Sequence, residues 1–179
     1  MLRLFVVAIL GMLPLLLPGA TLERLTLNDM VRHSTSIVRG KVGAVYAAVS
    51  GPVVYTHYQL QISEVWKGSG ATVVDVVVPG GTAGPLSQSF SGAPALARGS
   101  EYVLFLWRSP SGLNQVIGLS QGIFTLRSDP NGTITALRPA ASEPMLDASG
   151  RPVKSEALSI PLNGLKSQVR QVLSAAEVR

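Results

Sequence analysis

The sequence predicts a mainly β domain, built as a small antiparallel barrel with a short helix before it and an amphipathic helix after it. Apolar and polar residues alternate over residues 38–46 and 54–62, which is the period-two pattern of half-buried strands. Near the C-terminus the period changes to that of a helix. The apolar residues that recur there at helical spacing are Leu162, Leu165, Val169, Val172 and Leu173.

The N-terminal segment 1–20 has the layout of a secretory signal peptide. Arg3 lies in a short basic start, an uncharged apolar run covers Leu4 to Leu17, and the small residue Ala20 precedes Thr21. We therefore expect cleavage after Ala20 and an exported protein, periplasmic or extracellular, that begins at Thr21 and has no membrane segment. A retained anchor is the alternative, but the run barely reaches the roughly 17–25 apolar residues that span a bilayer.

Composition excludes several function classes. The chain carries 15 Lys and Arg against 10 Asp and Glu, and the basic residues are scattered singly. Nucleic-acid-binding domains cluster such residues on one face, so nucleic acid is not an expected partner. The absence of cysteine excludes thiol catalysis, disulfides and thiolate metal sites.

The barrel domain is predicted to occupy residues 21–137. A helix over Thr26–Val31 comes first, with Thr26 or Asn28 as a cap. Strands follow over 36–46, 54–62, 73–78, 102–107, 116–117, 123–126 and 133–137, with a bulge at Glu64–Trp66 and a hairpin turn at Ser128–Gly132. The expected barrel core consists of Val38, Val42, Tyr58, Leu60, Ile62, Val74, Val76, Leu104 and Leu106.

Two segments are predicted to be loops. Residues 79–97 are rich in proline and glycine, which predicts irregular structure, and long loops of this kind are often functional. Gly80, Gly81 and Thr82 are therefore candidate partner-binding residues, together with Thr21. Without the Gly-Lys-Ser/Thr ending, the glycines do not predict a phosphate loop. Residues 138–159 are predicted as a surface loop, and 160–179 as a helix packed on the barrel.

The motif Gly118-Leu119-Ser120-Gln121-Gly122 matches the G-x-S-x-G elbow of α/β-hydrolases, but its context differs. A strand rather than a helix is predicted after it, and both histidines, His33 and His57, precede the serine. A turn is therefore expected here, with neither imidazole near Ser120. The two histidines also lack metal-ligand spacing and are expected to be solvated. We accordingly predict no catalytic residues, no metal and no cofactor.

Three segments in order resemble netrin-like modules and the inhibitory domain of tissue inhibitors of metalloproteinases: Ser36–Val42, Val65–Gly68 and Gly99–Leu106. The Pro-Gly-Gly and Trp-Lys-Gly landmarks also resemble those of exported bacterial proteins without an assigned function. The resemblance covers Thr21 to Leu137 and implies an oligonucleotide/oligosaccharide-binding (OB)-like barrel with flanking helices. In those inhibitors a mature N-terminal cysteine binds the target's zinc through its amine and carbonyl. Thr21 takes that position here, without the disulfides that hold it there.

We therefore expect a non-enzymatic, exported binding domain that engages a protein or ligand through its loops. One alternative is a metalloprotease inhibitor or companion that uses the mature N-terminus, with an exported metalloprotease as partner. The other, less favoured, is a hydrolase that uses Ser120 or acidic residues whose separation the sequence does not give.

Overall fold

The computed structural model describes residues 21–177, and the predicted signal peptide lies outside them. The fold is mainly β, as predicted. The helices are α1 (Leu27–His33) and α2 (Leu162–Glu177), and the strands are β1 (Leu22–Glu23), β2 (Ser36–Ser50), β3 (Val53–Lys67), β4 (Val73–Pro79), β5 (Gly81–Ala83), β6 (Leu86–Gln88), β7 (Glu101–Arg108), β8 (Asn114–Val116), β9 (Ile123–Ser128), β10 (Ile134–Arg138), β11 (Met145–Leu146), β12 (Pro152–Val153) and β13 (Leu158–Pro161).

Eight strands form one mixed sheet in the order β13-β10-β9-β7-β2-β3-β4-β8. The expectation of purely antiparallel pairing is wrong in this sheet, because β8 runs parallel to β4. The same short strand is antiparallel to the C-terminal end of β7. Strand patterns predict which residues alternate but not which strand becomes the neighbour, so this pairing was not available from the sequence.

Two hydrophobic clusters lie on opposite faces of the sheet. The inner cluster confirms the predicted core, since Ile62 and Val74 pack against it and the other seven expected residues are buried in it. The outer cluster lies between the sheet and the helices. Its buried members are Met30, Val31, Ile37, Val103, Phe105, Phe124, Ala136, Leu162, Leu165 and Val169.

Strand β7 explains why both clusters exist. Successive side chains of a strand point to opposite faces, so Leu104 and Leu106 enter the inner cluster while Val103 and Phe105 enter the outer one. All four are fully buried. The predicted central position of this most apolar strand is confirmed by its neighbours β2 and β9.

The two longest strands, β2 and β3, form a ribbon with irregular register. Val38 pairs with Val65 and Ile37 with Lys67, so Trp66 is an extra residue in β3, as the predicted bulge requires. Strand β7 pairs with β2 only over residues 36–41. The remaining part of β2 therefore has β3 on one edge only, while β4 continues on the other side of β3 as far as Tyr55.

Both helices pack where the sequence places them. Thr26 caps α1, and its hydroxyl accepts from the Asp29 N–H at 3.2 Å while the Asp29 carboxylate accepts from the Thr26 N–H at 3.0 Å. The Lys67 ammonium donates to the carbonyl of Val31 at 2.7 Å, at the other end of the helix. Helix α2 contributes Leu165 and Val169 to the outer cluster.

A charged network covers part of the same outer face. Arg39 donates to Glu64 at 2.7 Å and to Glu101 at 2.9 Å, and Lys166 on α2 also donates to Glu64. The Trp66 indole donates to Glu64 at 3.1 Å. Hydrogen bonding from Lys166 is the main reason that the pKa of Glu64 falls to about 2. The network ties α2 to β2 and β3.

The expectation of irregular structure throughout 79–97 is wrong, because β5 and β6 form a small hairpin there. Gly84, at φ 59°, and Pro85 connect the strands, and glycine at the first central position is typical of a type II′ turn. The segment 138–159 carries β11, β12 and the start of β13. Within residues 21–177 neither helix has the length and apolar character needed to cross a membrane.

Candidate partner-binding surface

The β5–β6 hairpin is held against the β2–β3 ribbon by polar contacts with β3. The Gly80 N–H donates to the Val54 carbonyl at 2.7 Å, and the Thr56 hydroxyl donates to the Gly80 carbonyl at 2.8 Å. The Gln88 side chain accepts from the Val54 N–H at 2.7 Å and donates to the Pro52 carbonyl at 2.9 Å. These four bonds hold the hairpin in a single position on the ribbon.

The two glycines of the predicted binding set have packing roles. Gly80 is buried and Gly81 half-buried, with φ angles of 107° and 126° that other residues rarely adopt. A Cβ atom at Gly81 would lie 2.5 Å from the Thr56 hydroxyl oxygen, so only glycine allows this close approach. Thr82 is exposed. Contact of a partner with these three residues stays a prediction.

Exposed apolar side chains gather at this end of the molecule. Among the described residues, five of the seven large hydrophobic side chains that are exposed belong to the end of β2 or to the segment 79–97. Val49 is 50% exposed and Leu86 is 51% exposed. We call the set Val45, Val49, Leu86 and Phe90 the hairpin surface. Such a gathering is a mark of interaction sites, whereas single exposed hydrophobic residues are ordinary.

The hairpin surface lies in a part of the chain without formal charge. No Asp, Glu, Lys or Arg occurs in residues 42–63 or 79–97. The edge of β2 opposite β3 is also unpaired over residues 43–50 among the described residues, because pairing with β7 ends at Lys41 and two further bonds occur at Val42. Natural proteins usually protect a free strand edge with charges or prolines. This edge has neither.

A second group beside this edge was missed by the sequence analysis. The His57 ring stacks on Tyr46 with 4.7 Å between centroids, and its Nδ1 atom lies 2.8 Å from an Asp75 carboxylate oxygen. The expectation that His57 is solvated is wrong, since its side chain is only 13% exposed. Cross-strand pairing of Tyr46 with His57 creates the stack, and sequence separation concealed it.

Thr21 is exposed, and the residues after it are held without disulfides. The Leu22 N–H donates to the Pro144 carbonyl at 2.9 Å and the Arg24 N–H to the Leu146 carbonyl at 2.8 Å, through parallel pairing of β1 with β11. The Gln121 side chain fixes the next residues, donating to the Glu23 carbonyl and accepting from the Leu25 N–H. Backbone hydrogen bonds thus attach the residues that follow Thr21 to the segment 144–146.

The G-x-S-x-G segment forms turns between β8 and β9. Gly118 has φ 60°, which other residues rarely adopt. A Cβ at Gly122 would lie 2.8 Å from the Ile117 carbonyl oxygen, so this position has no room for a side chain. Within the described residues, no hydrogen bond joins the Ser120 side chain to an imidazole, and His57 is engaged with Asp75. His33 is exposed at the end of α1.

Over residues 21–177, no three His, Asp or Glu side chains are close enough to share a metal ion. Comparisons with models of protein families and with curated proteins find no match to this chain.

Proposed function

We propose that this chain is an exported, non-enzymatic binding domain on an OB-like barrel, and that it engages a protein partner at the hairpin surface. A cycle of pairings supports the barrel: β2 with β3, β3 with β4, β4 with β8, β8 with β7, and β7 with β2. Five strands joined in this way match the strand number of an OB-like barrel. Export rests on the predicted signal peptide of residues 1–20.

The observation that carries the proposal is the uncharged, unpaired edge of β2 beside exposed apolar side chains. An exposed strand edge offers a row of N–H and C=O groups to another chain. Val45 and Val49 on this strand, and Leu86 and Phe90 on the hairpin segment packed on the ribbon, supply exposed apolar area that a partner would remove from water. Tyr46, fixed by its stack on His57, adds a pre-ordered aromatic ring of the kind that dominates interfaces.

The partner is an extended, uncharged segment of another exported protein, which adds to the sheet alongside residues 43–50. In this mode main-chain hydrogen bonds supply affinity, and alternate side chains supply specificity. The small, exposed side chain of Ala44 leaves room beside the edge for those of a partner strand. A charged segment would find no counter-ion in residues 42–63 or 79–97.

Site-specific photo-crosslinking in the producing cell tests this proposal. A crosslinking amino acid is placed at Val49, at Leu86 or, as a control, at Val73, which is also exposed but lies on β4. We expect the same partner to be captured at Val49 and Leu86 and not at Val73. Capture only of a second copy of this chain, or equal capture at all three sites, would contradict the proposal.

A pair of lysine substitutions tests whether binding depends on the free edge of β2. Val45→Lys should abolish the crosslink formed at Leu86, because a lysine on the free edge opposes strand addition. Val73→Lys adds the same charge elsewhere and should leave that crosslink unchanged. Both positions are exposed, so neither variant should lose more than about 0.5 kcal/mol of folding free energy. An undiminished crosslink in Val45→Lys would exclude edge pairing.

A second candidate function, inhibition of a zinc metalloprotease through Thr21, is favoured by one specific observation. The bonds of Leu22 and Arg24 to the 144–146 segment hold the exposed N-terminal residue at a fixed place. After cleavage, the free amine and carbonyl of Thr21 could bind a metal in a partner.

Inhibition assays on a panel of zinc metalloproteases would test this second function. We compare the chain that begins at Thr21 with one that keeps Ala20 in front of it. Only the shorter chain should inhibit, because the extra residue converts the terminal amine into an amide that does not bind zinc. Equal inhibition by both chains, or by neither, would exclude this use of the N-terminus.

A further inference from the structure

A cavity of about 210 Å³ lies between the N-terminal segment, the start of α1 and the segment 138–158. Its apolar wall includes Leu25, Met30, Met145 and Leu158, and two guanidinium groups, of Arg24 and Arg138, also line it. It shares no residue with the hairpin surface. An inference about it is therefore independent of the proposed function.

The Arg138 guanidinium is half-buried and incompletely satisfied. It donates to the Gln121 carbonyl at 3.1 Å, approaches the Met30 sulfur at 3.8 Å and lies 5.4 Å from the centre of the Phe124 ring. No carboxylate of the described residues forms an ion pair with it. A guanidinium has five N–H donors, and a buried cation without a counter-ion is costly.

Arg24 brings a second positive charge to the same space. Arg24 and Arg138 line the same cavity, and the pKa of Arg138 is lowered mainly by burial and further by the charge of Arg24. Glu156 is the one acidic residue on the cavity lining, and it is exposed and forms no ion pair with either arginine. The Ser120 hydroxyl also lines the cavity and has no hydrogen-bond partner among the described residues.

We infer that this cavity binds a small amphipathic carboxylic acid, with the carboxylate between Arg24 and Arg138 and a short apolar chain against Leu25, Met30, Met145 and Leu158. A carboxylate would relieve the repulsion between the two guanidinium groups and accept from their remaining donors in the planar geometry that arginine favours. The Ser120 hydroxyl can donate to the same oxygens. The apolar wall selects an organic acid over an inorganic anion.

Titration of the purified exported protein with hexanoate, followed through the backbone amide NMR signals of Leu25 and Gln121, tests the inference. Hexanamide has the same shape without the charge and should bind at least about tenfold more weakly. Inorganic phosphate should also bind more weakly, since it gains nothing from the apolar wall. Equal binding of hexanoate and hexanamide, or of hexanoate and phosphate, would overturn the inference.

Three arginine variants test whether hexanoate binds at this cavity. Arg138→Gln should weaken hexanoate binding by roughly tenfold or more, and Arg24→Gln by several-fold. Arg24 is exposed, so its variant remains informative if Arg138→Gln fails to fold. Arg170→Gln, at an exposed position on α2, changes the net charge equally and should bind as the parent does. Unchanged affinity in Arg24→Gln, or an equal loss in Arg170→Gln, would contradict this placement.

Discussion

The two halves of the β2–β3 ribbon are built from similar strands but differ in their surroundings. In the near half, residues 36–41 of β2 pair with β3 on one edge and with β7 on the other, and Val38 and Ile37 enter the inner and the outer cluster. In the far half, residues 43–50 pair with β3 alone, and the β5–β6 hairpin packs on them. Both edges of β2 are therefore paired in the near half, whereas one edge is free in the far half. The β3 side of the far half still reaches the core, because Tyr58, the partner of Val45, belongs to the inner cluster.

Charge divides the halves in the same way. The near half carries Arg39, Glu64 and Glu101 in a network that reaches Lys166 on α2. The far half and its hairpin carry no Asp, Glu, Lys or Arg. The charged side chains of the near half are paired with one another and with Lys166. The uncharged far half presents exposed apolar side chains and a free strand edge. The difference separates the region that stabilises the fold from the region proposed to bind.

The largest effect that tests this division comes from core truncation. Leu104→Ala should lower the free energy of unfolding by about 2–5 kcal/mol, because Leu104 is fully buried and its removal leaves a cavity. Val49→Ala, in the exposed far half, should change it by no more than about 0.5 kcal/mol. Urea denaturation of both variants measures the contrast. Similar losses in the two would mean that the far half is also part of the core.

The sequence predicted the near half well because its strands are buried on alternating faces. The period-two pattern identified Val38, Val42 and Leu60 as core residues, and all three are buried. The cap of α1 and the apolar face of α2 were readable for the same reason, since each depends on spacing within one element. Local patterns are enough where one element's own residues decide its structure.

Contacts between distant segments could not be predicted in this way. The stack of Tyr46 on His57, the cavity that Arg24 and Arg138 both line and the parallel pairing of β8 with β4 each involve residues that are not adjacent in the chain. Composition also misled at 79–97, where the glycines that predict a loop in fact allow close packing of a hairpin. The conformational freedom of glycine predicts an unusual backbone conformation, but the conformation that forms depends on tertiary contacts.

The two landmarks that carry the family resemblance have structural roles. Lys67 of the Trp-Lys-Gly landmark donates to carbonyls at the end of α1, and its Trp66 donates to Glu64. Gly80 and Gly81 of the Pro-Gly-Gly landmark hold the hairpin on β3. A resemblance based on such residues concerns the fold, so the binding function must be tested at the side chains of the far half.

A smaller effect is expected from weakening the contact between the β5–β6 hairpin and β3. Gly81→Ala places a Cβ against Thr56 and a side chain at φ 126°, a strain of about 1–3 kcal/mol. Hydrogen exchange of the amides of residues 81–88 should accelerate, while that of β7 should not. Gly70→Ala is the control, since a Cβ there meets nothing within 4 Å and its φ is ordinary. Unchanged exchange in Gly81→Ala would show that the hairpin does not need this close fit.

The smallest effect distinguishes the halves by their response to acid. The pKa of Glu64 in the folded protein is about 2, below its ordinary value of 4.5, so the Glu64 carboxylate contributes stability that is present above pH 4.5 and is lost as the pH falls towards 2. Glu64→Gln should lower the free energy of unfolding at pH 7 by roughly 1–2 kcal/mol, less than the full pKa shift implies because the group is partly exposed. It should also flatten the loss of stability between pH 4.5 and 2.

Asp147→Asn is the control, since Asp147 also has a lowered pKa but its bonds lie within one exposed turn. If thermal unfolding from pH 6 to 2 gives the same curve for Glu64→Gln and the parent, the charged network does not stabilise the near half, and its distinction from the far half rests on burial alone.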